Sequence, residues 1–132
     1  MKEVFLGNFR LGLIHPFPET PHRPEFLEFR ERMHTFLREK VDPVEIDATG
    51  EYPDVVIDGL RRLGAFGMKI PTEYGGLGLN QAEYSDIMEL LGSYDANLTA
   101  LLSAHQSIGV PQPLKSFGTD ALRKKYLPRC AA

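Results

Sequence analysis

From Phe26 to Leu127, apolar residues return every three or four positions in one short segment after another, and glycines and prolines divide the segments. That spacing places an apolar stripe along one side of a helix, and no strand-length run of alternating apolar and polar residues competes with it. No internal repeat is visible. The pattern predicts an all-α bundle of five or six helices with antiparallel neighbours and short loops, preceded by an irregular N-terminal arm.

The arm covers residues 1–24, with prolines at 16, 18, 21 and 24 and aromatics at Phe5, Phe9 and Phe17. Four prolines in nine residues exclude a helix interior. Such a segment is either a disordered tail or, as the aromatics suggest, one that packs along another surface. From Pro24, which suits a first helical position, the stripe Phe26, Phe29, Met33, Phe36 and Leu37 predicts the first helix, with Glu28 and Arg32 as an i, i+4 pair. Asp42-Pro43 is read as its end, and residues 43–51 as a loop. Val56, Leu60 and Leu63, with Ile57 beside them, predict a second helix from Pro53, closed by Gly64 in the left-handed conformation. Asp58 is set to pair with Arg62. Asn80 and Glu83 have capping-box spacing ahead of Tyr84, Ile87, Met88 and Leu91. Asp95 caps a fourth helix with Leu98, Leu101, Leu102, His105 and Ile108 along one side, stopped by Gly109 and Pro111. Leu114 and Phe117 suggest a short fifth helix. Thr119 caps a last one that buries Leu122, Tyr126 and Leu127 and ends at Pro128.

The composition excludes several classes of function. A net charge of −3 argues against a general nucleic-acid binder. No apolar stretch approaches the ~20 residues that span a bilayer. Residues 1–20 resemble neither a signal peptide nor an Arg- and Ser-rich transit peptide, so an intracellular, reducing compartment is the default expectation. The single cysteine, Cys130, excludes an internal disulfide framework and a cysteine-rich zinc site.

Candidate chemistry is sparse. Gly75-Gly76-Leu77-Gly78 lacks the Lys-Ser or Lys-Thr of a phosphate loop and the preceding strand of a dinucleotide fingerprint, which leaves a tight turn between approaching helices. His15, His22, His34 and His105 do not pair at metal-ligand spacing, and His105 reads as a core or pocket-edge side chain. No carboxylate pair is fixed by local spacing, and no serine sits in a nucleophile elbow. Ser103 and Ser107, one turn apart, either bond back to the helix or line a groove. Lys115, Arg123, Lys124, Lys125 and Arg129 form a basic stretch that reads as a solvated face, with a partner or phosphate contact as the alternative. The chain ends soon after Pro128 without a polar tail, as if at a domain boundary. These residues alone describe a helical domain without a catalytic constellation of its own.

Three segments nevertheless carry a resemblance. Gly64-Ala65-Phe66-Gly67-Met68-Lys69-Ile70-Pro71-Thr72-Glu73-Tyr74-Gly75-Gly76-Leu77-Gly78-Leu79 resembles the hallmark loop of the acyl-CoA dehydrogenase N-terminal domain. Ser103-Ala104-His105-Gln106-Ser107-Ile108-Gly109 is similar to a second segment of that family, and Phe117-Gly118-Thr119 with Lys124-Lys125-Tyr126-Leu127-Pro128 to a third. They stand in family order and spacing and cover residues 25–132. The wording Ala104-His105-Gln106-Ser107 is most like the very-long-chain branch. The lead-in Gly7-Asn8-Phe9-Arg10 and Pro16-Phe17-Pro18 resembles that branch too.

The resemblance implies an FAD-dependent oxidoreductase of fatty-acid β-oxidation that turns an acyl-CoA into the trans-2-enoyl-CoA and passes electrons to an electron-transfer flavoprotein. It implies a homo-oligomer, cytoplasmic in a bacterium or mitochondrial in a eukaryote. It places the catalytic carboxylate and the main flavin contacts in a middle β domain and a C-terminal helical domain that this sequence does not contain, so the chain alone is expected to be inactive and to hold no FAD. What these residues inherit from the resemblance is a wall of the acyl pocket: Ala100, Ala104 and Ser107 or Ile108 on one side of the fourth helix. Medium-chain members of the family carry larger polar residues where Ala100 and Ala104 fall, so small residues here imply a pocket open to a long tail. A free-standing helical interaction module is the alternative.

Overall fold

In the computed structural model the described residues are 5–8, 10–13, 15–16 and 21–132, and among them the chain forms helices and no strand. Phe9, Phe17 and Pro18 of the arm lie outside the described residues. Within it, Leu11–Leu13 makes one short 3-10 turn, and Phe5 and Leu11 are exposed.

All the predicted helices form. Helix α1 spans Pro24–Lys40 with proline at its start, as expected, and buries Phe26, Phe29, Met33 and Leu37. Helix α3 spans Asp54–Leu63 and buries Val56 and Leu60. Gly64 closes it with φ 80°, a left-handed conformation that glycine adopts without a Cβ clash. Here Asp58 pairs with Arg61, three residues on, and not with Arg62. Helix α4 spans Gln81–Tyr94 behind a complete Asn80–Glu83 capping box. Helix α5 spans Ala96–Ser103, capped by Asp95 as predicted, and continues as a wide π turn over Ala104–Ile108. Helices α6, Pro111–Phe117, and α7, Asp120–Ala131, complete the chain.

Three readings are corrected. Residues 43–51 are mostly helix: α2 spans Pro43–Thr49. Asp42 accepts hydrogen bonds from the Val44 and Glu45 amides, Pro43 occupies the first turn, and Gly50 ends the helix at φ 69°. The same Asp-Pro pair that ends α1 therefore starts α2. Pro128 does not end α7 but sits inside it, exposed, while Leu127 and Ala131 are buried on the other side. That proline falls in the last turn, so the bond it removes lies near the end of the helix. Leu122, expected inside, is 44% exposed.

The main core joins α1, α3, α4 and α5. A smaller cluster of Ile70, Leu127 and Ala131 holds α7. Between them runs the glycine-rich segment, folded back on itself. The amides of Leu77, Gly78 and Leu79 donate to the carbonyls of Gly67, Ile70 and Met68 at 2.9, 2.9 and 2.8 Å. A Cβ on Gly76 would stand 2.1 Å from the Ile70 carbonyl oxygen, so only glycine permits this close return. The cluster is a tight turn, as its lack of phosphate-loop chemistry suggested.

Candidate functional site: the outward face of helix α5

Helix α5 separates an anchored face from an open one. Leu98, Leu102 and Gln106 point inward, each with no exposed surface. Ala100, Ala104 and Ile108 point outward, and Ile108 is 82% exposed. Ser107 is half-buried at the edge of this outward stripe. Both rows step by four residues. In a regular α-helix every fourth residue drifts by about 40° around the axis, so a row of three would spiral away. The π turn cancels the drift. The Gly109 amide donates to the Ala104 carbonyl, five residues back, at 2.7 Å. A turn closed at the fifth residue advances less per residue and brings the row back into line.

This geometry corrects the expected inner stripe of α5. Ile108 leaves it for the surface, and Gln106, a polar residue that periodicity passes over, takes the buried place. Of the expected acyl-pocket residues, Ala100, Ala104 and Ile108 are exposed, while Ser107 is half-buried and reaches Tyr84 on α4. Val110 and Phe117 beyond the turn are 64% and 89% exposed, so the apolar surface continues onto α6.

Three consecutive residues of the π turn reach three different parts of the fold. His105 Nε2 is 3.0 Å from the Cys130 carbonyl near the end of α7, and its ring meets Phe66 edge-on at 5.4 Å. Gln106 accepts from the Lys69 amide at 3.1 Å, and its amide nitrogen donates to the carbonyls of Ala65, at 3.1 Å, and of Phe66. Ser107 Oγ lies 3.3 Å from the Tyr84 hydroxyl on α4. The turn is thereby held from behind while its front is open. His105 is half-buried between Phe66 and the end of α7, packed as the core alternative of its reading has it. Ser107 joins α4 by its hydroxyl, and Ser103 is half-buried.

Lys69 Nζ sits 4.8 Å above the Tyr84 ring and donates to Gln81. Lys115 Nζ donates to the Lys69 carbonyl at 3.1 Å, and burial, helped by the neighbouring Lys69 charge, lowers its pKa. Lys124, Lys125 and Arg129 are exposed, in keeping with a solvated basic face. Among the described residues no group of three His, Cys, Asp or Glu could hold a metal, and no helix is long and apolar enough to cross a membrane.

At the start of α4, next to Tyr84, sequence reasoning missed an ion pair. Arg23, just ahead of α1, donates through Nε and Nη2 to both oxygens of Glu83 at 2.8 and 2.7 Å. Glu83 is 1% exposed and also accepts from the Asn80 amide at 2.9 Å. The hydrogen bond from Arg23 outweighs desolvation and holds the Glu83 carboxyl below the usual carboxylate range. This clamp joins the starts of α1 and α4.

The acyl-CoA dehydrogenase N-terminal domain family model matches residues 23–132. The chain belongs to that family. The probable acyl-CoA dehydrogenase FadE10 of Mycobacterium tuberculosis is 47% identical over 133 residues, covering 99% of this chain and 20% of the relative. The mitochondrial very long-chain specific acyl-CoA dehydrogenases of Mus musculus and Homo sapiens are 37% and 36% identical over 132 residues, again with 98% of this chain and 20% of theirs. The chain thus spans about one fifth of the length of the curated relatives it matches. As a member of the acyl-CoA dehydrogenase N-terminal domain family it shows the all-α fold expected from the sequence.

Proposed function

We propose that this chain is the N-terminal domain of a long-chain acyl-CoA dehydrogenase and that the outward face of α5 forms one wall of the channel for the acyl tail. The observation that carries this reading is the straight row Ala100, Ala104 and Ile108, apolar and exposed on a helix whose opposite face is fully buried. Ser107 borders the row with one hydroxyl, already engaged by Tyr84. Small alanines leave room beside the helix, and Ile108 supplies apolar contact further along.

In the whole enzyme a carboxylate would take the α-proton of the thioester, and FAD would accept the β-hydrogen as hydride before an electron-transfer flavoprotein reoxidises it. The outward stripe offers methyl groups and one hydroxyl, which do not fit the pyrophosphate or the ring edge of the flavin. These residues therefore stand outside the redox step. Their contribution is to bind the tail, exclude water from it and set its permitted length. The base, the flavin site and the subunit contacts of a homo-oligomer are assigned to the remainder of a longer polypeptide, and the 132-residue chain by itself is read as inactive.

Burying one more methylene is worth about 0.8 kcal/mol, roughly a fourfold gain per carbon where the channel accepts it. Ala104→Glu in the full-length enzyme would place a carboxylate across that path. The expected result is a shift of the kcat/KM profile toward shorter acyl chains, with long substrates losing most. An unchanged profile would refute the tail-wall role.

A further inference from the structure

We propose that Gln106 is a specificity-positioning residue: it holds the π turn that aligns the two halves of the tail wall. The inference rests on the reading of α5 as that wall, and it concerns a side chain that touches no substrate. Gln106 is fully buried on the face opposite Ala104. It uses both ends of its amide, the oxygen for the Lys69 amide and the nitrogen for the Ala65 and Phe66 carbonyls. These groups belong to the tight segment after α3, whose backbone is itself tied to the glycine-rich return. The anchor is therefore rigid and lies outside α5.

The consequence for the wall is geometric. Ala100 stands in the α-helical part of α5, Ala104 opens the π turn, and Ile108 closes it. If residues 104–108 relaxed into an ordinary α turn, the Gly109 amide would move to a carbonyl four residues back and Ile108 would rotate out of line with Ala100. A buried amide with three satisfied bonds opposes that change, because any other register strands its donors and acceptor away from water. Misplacement of about 1 Å at a binding wall is enough to alter turnover by large factors.

The test compares Gln106→Met, which keeps length and loses every hydrogen bond, with Gln106→Glu, which keeps an acceptor for Lys69 and loses both donated bonds. Two readouts are needed. In the 132-residue chain, amide hydrogen exchange at Lys69 and Gly109 reports on the turn itself. In the full-length polypeptide, the ratio of kcat/KM for long over medium acyl chains reports on the wall. The expected result is faster exchange at both amides and a ratio lower by roughly tenfold, mostly through KM for the long substrate. Should Gln106→Met fail to fold, Gln106→Glu is read in the same way, with Gly109 as the reporting amide.

Ala104→Glu separates this inference from the reading beneath it. If Ala104→Glu shifts the chain-length profile while the Gln106 variants change neither exchange nor ratio, the wall stands and the positioning role is overturned. If exchange rises but the ratio does not move, Gln106 is merely structural and the proposal is again overturned. If Ala104→Glu shifts nothing, the tail wall falls and the specificity role of Gln106 falls with it.

Discussion

The two apolar clusters of this domain are built differently. The main core holds α1, α3, α4 and α5 together through long stripes of large side chains such as Phe26, Met33, Leu60 and Leu102. The smaller cluster ties α7 to the rest through Ile70, Leu127 and Ala131, supplemented by the contact of His105 with the Cys130 carbonyl. The difference teaches where rigidity is needed. The candidate site lies on α5, whose inner face is in the main core, while its π turn reaches across to α7. The wall is thus anchored on the well-packed side and only edged by the lighter one.

That contrast can be broken most sharply by the same truncation on both sides. Leu102→Ala removes a fully buried side chain from the main core and should cost about 2–5 kcal/mol in global unfolding by urea. Leu127→Ala removes an equally buried leucine, but its effect should be local. Amides of α7 would exchange faster while the main transition moves much less. Equal global losses from the two variants would show that the clusters unfold as one unit.

A smaller effect sharpens the comparison within the main bundle. Arg23→Ala leaves the buried Glu83 carboxylate with the Asn80 amide and without its arginine donors. The expected loss is about 1–3 kcal/mol at neutral pH. Because Arg23 lowers the Glu83 pKa, its contribution is fully present above the unfolded glutamate value of about 4.3. It is lost as pH falls through the lower folded value. The gap between the parent and Arg23→Ala should therefore close as the pH drops below about 4. A gap that persists with both proteins protonated would show that Arg23 acts by packing rather than by charge.

Local rules made much of the fold legible. Gly64, the Asn80–Glu83 box, Asp95 and Thr119 are caps whose partners lie within four residues, so their roles follow from spacing alone. The stripes of α1 and α3 were legible because large apolar side chains at helical steps have few alternatives. What stayed hidden depended on distant partners. The Arg23–Glu83 clamp joins residues sixty apart, and the capping box already gave Glu83 a local role while nothing marked Arg23. Gln106 was missed because its bonds go to backbone groups about forty residues earlier. Ile108 was placed inward because a regular helix was assumed through a turn that is in fact wide. Helix α2 was passed over because Asp42-Pro43 signals an end as readily as a beginning.

The site was legible in a different way. The residues of the outward stripe came from the resemblance, since small side chains on a surface carry no chemical signature of their own. The structure adds the exposure of Ala100, Ala104 and Ile108 and the π turn that carries the last two.

The most direct measurement of the central claim is photolabelling of the full-length polypeptide with a long-chain acyl-CoA carrying a diazirine near the end of its tail. Covalent label on the peptide containing Ala100, Ala104 and Ile108, competed by unlabelled long-chain substrate and weaker with a short-tailed probe, is the predicted result. Labelling confined to segments outside this domain would contradict it and would remove α5 from the acyl channel.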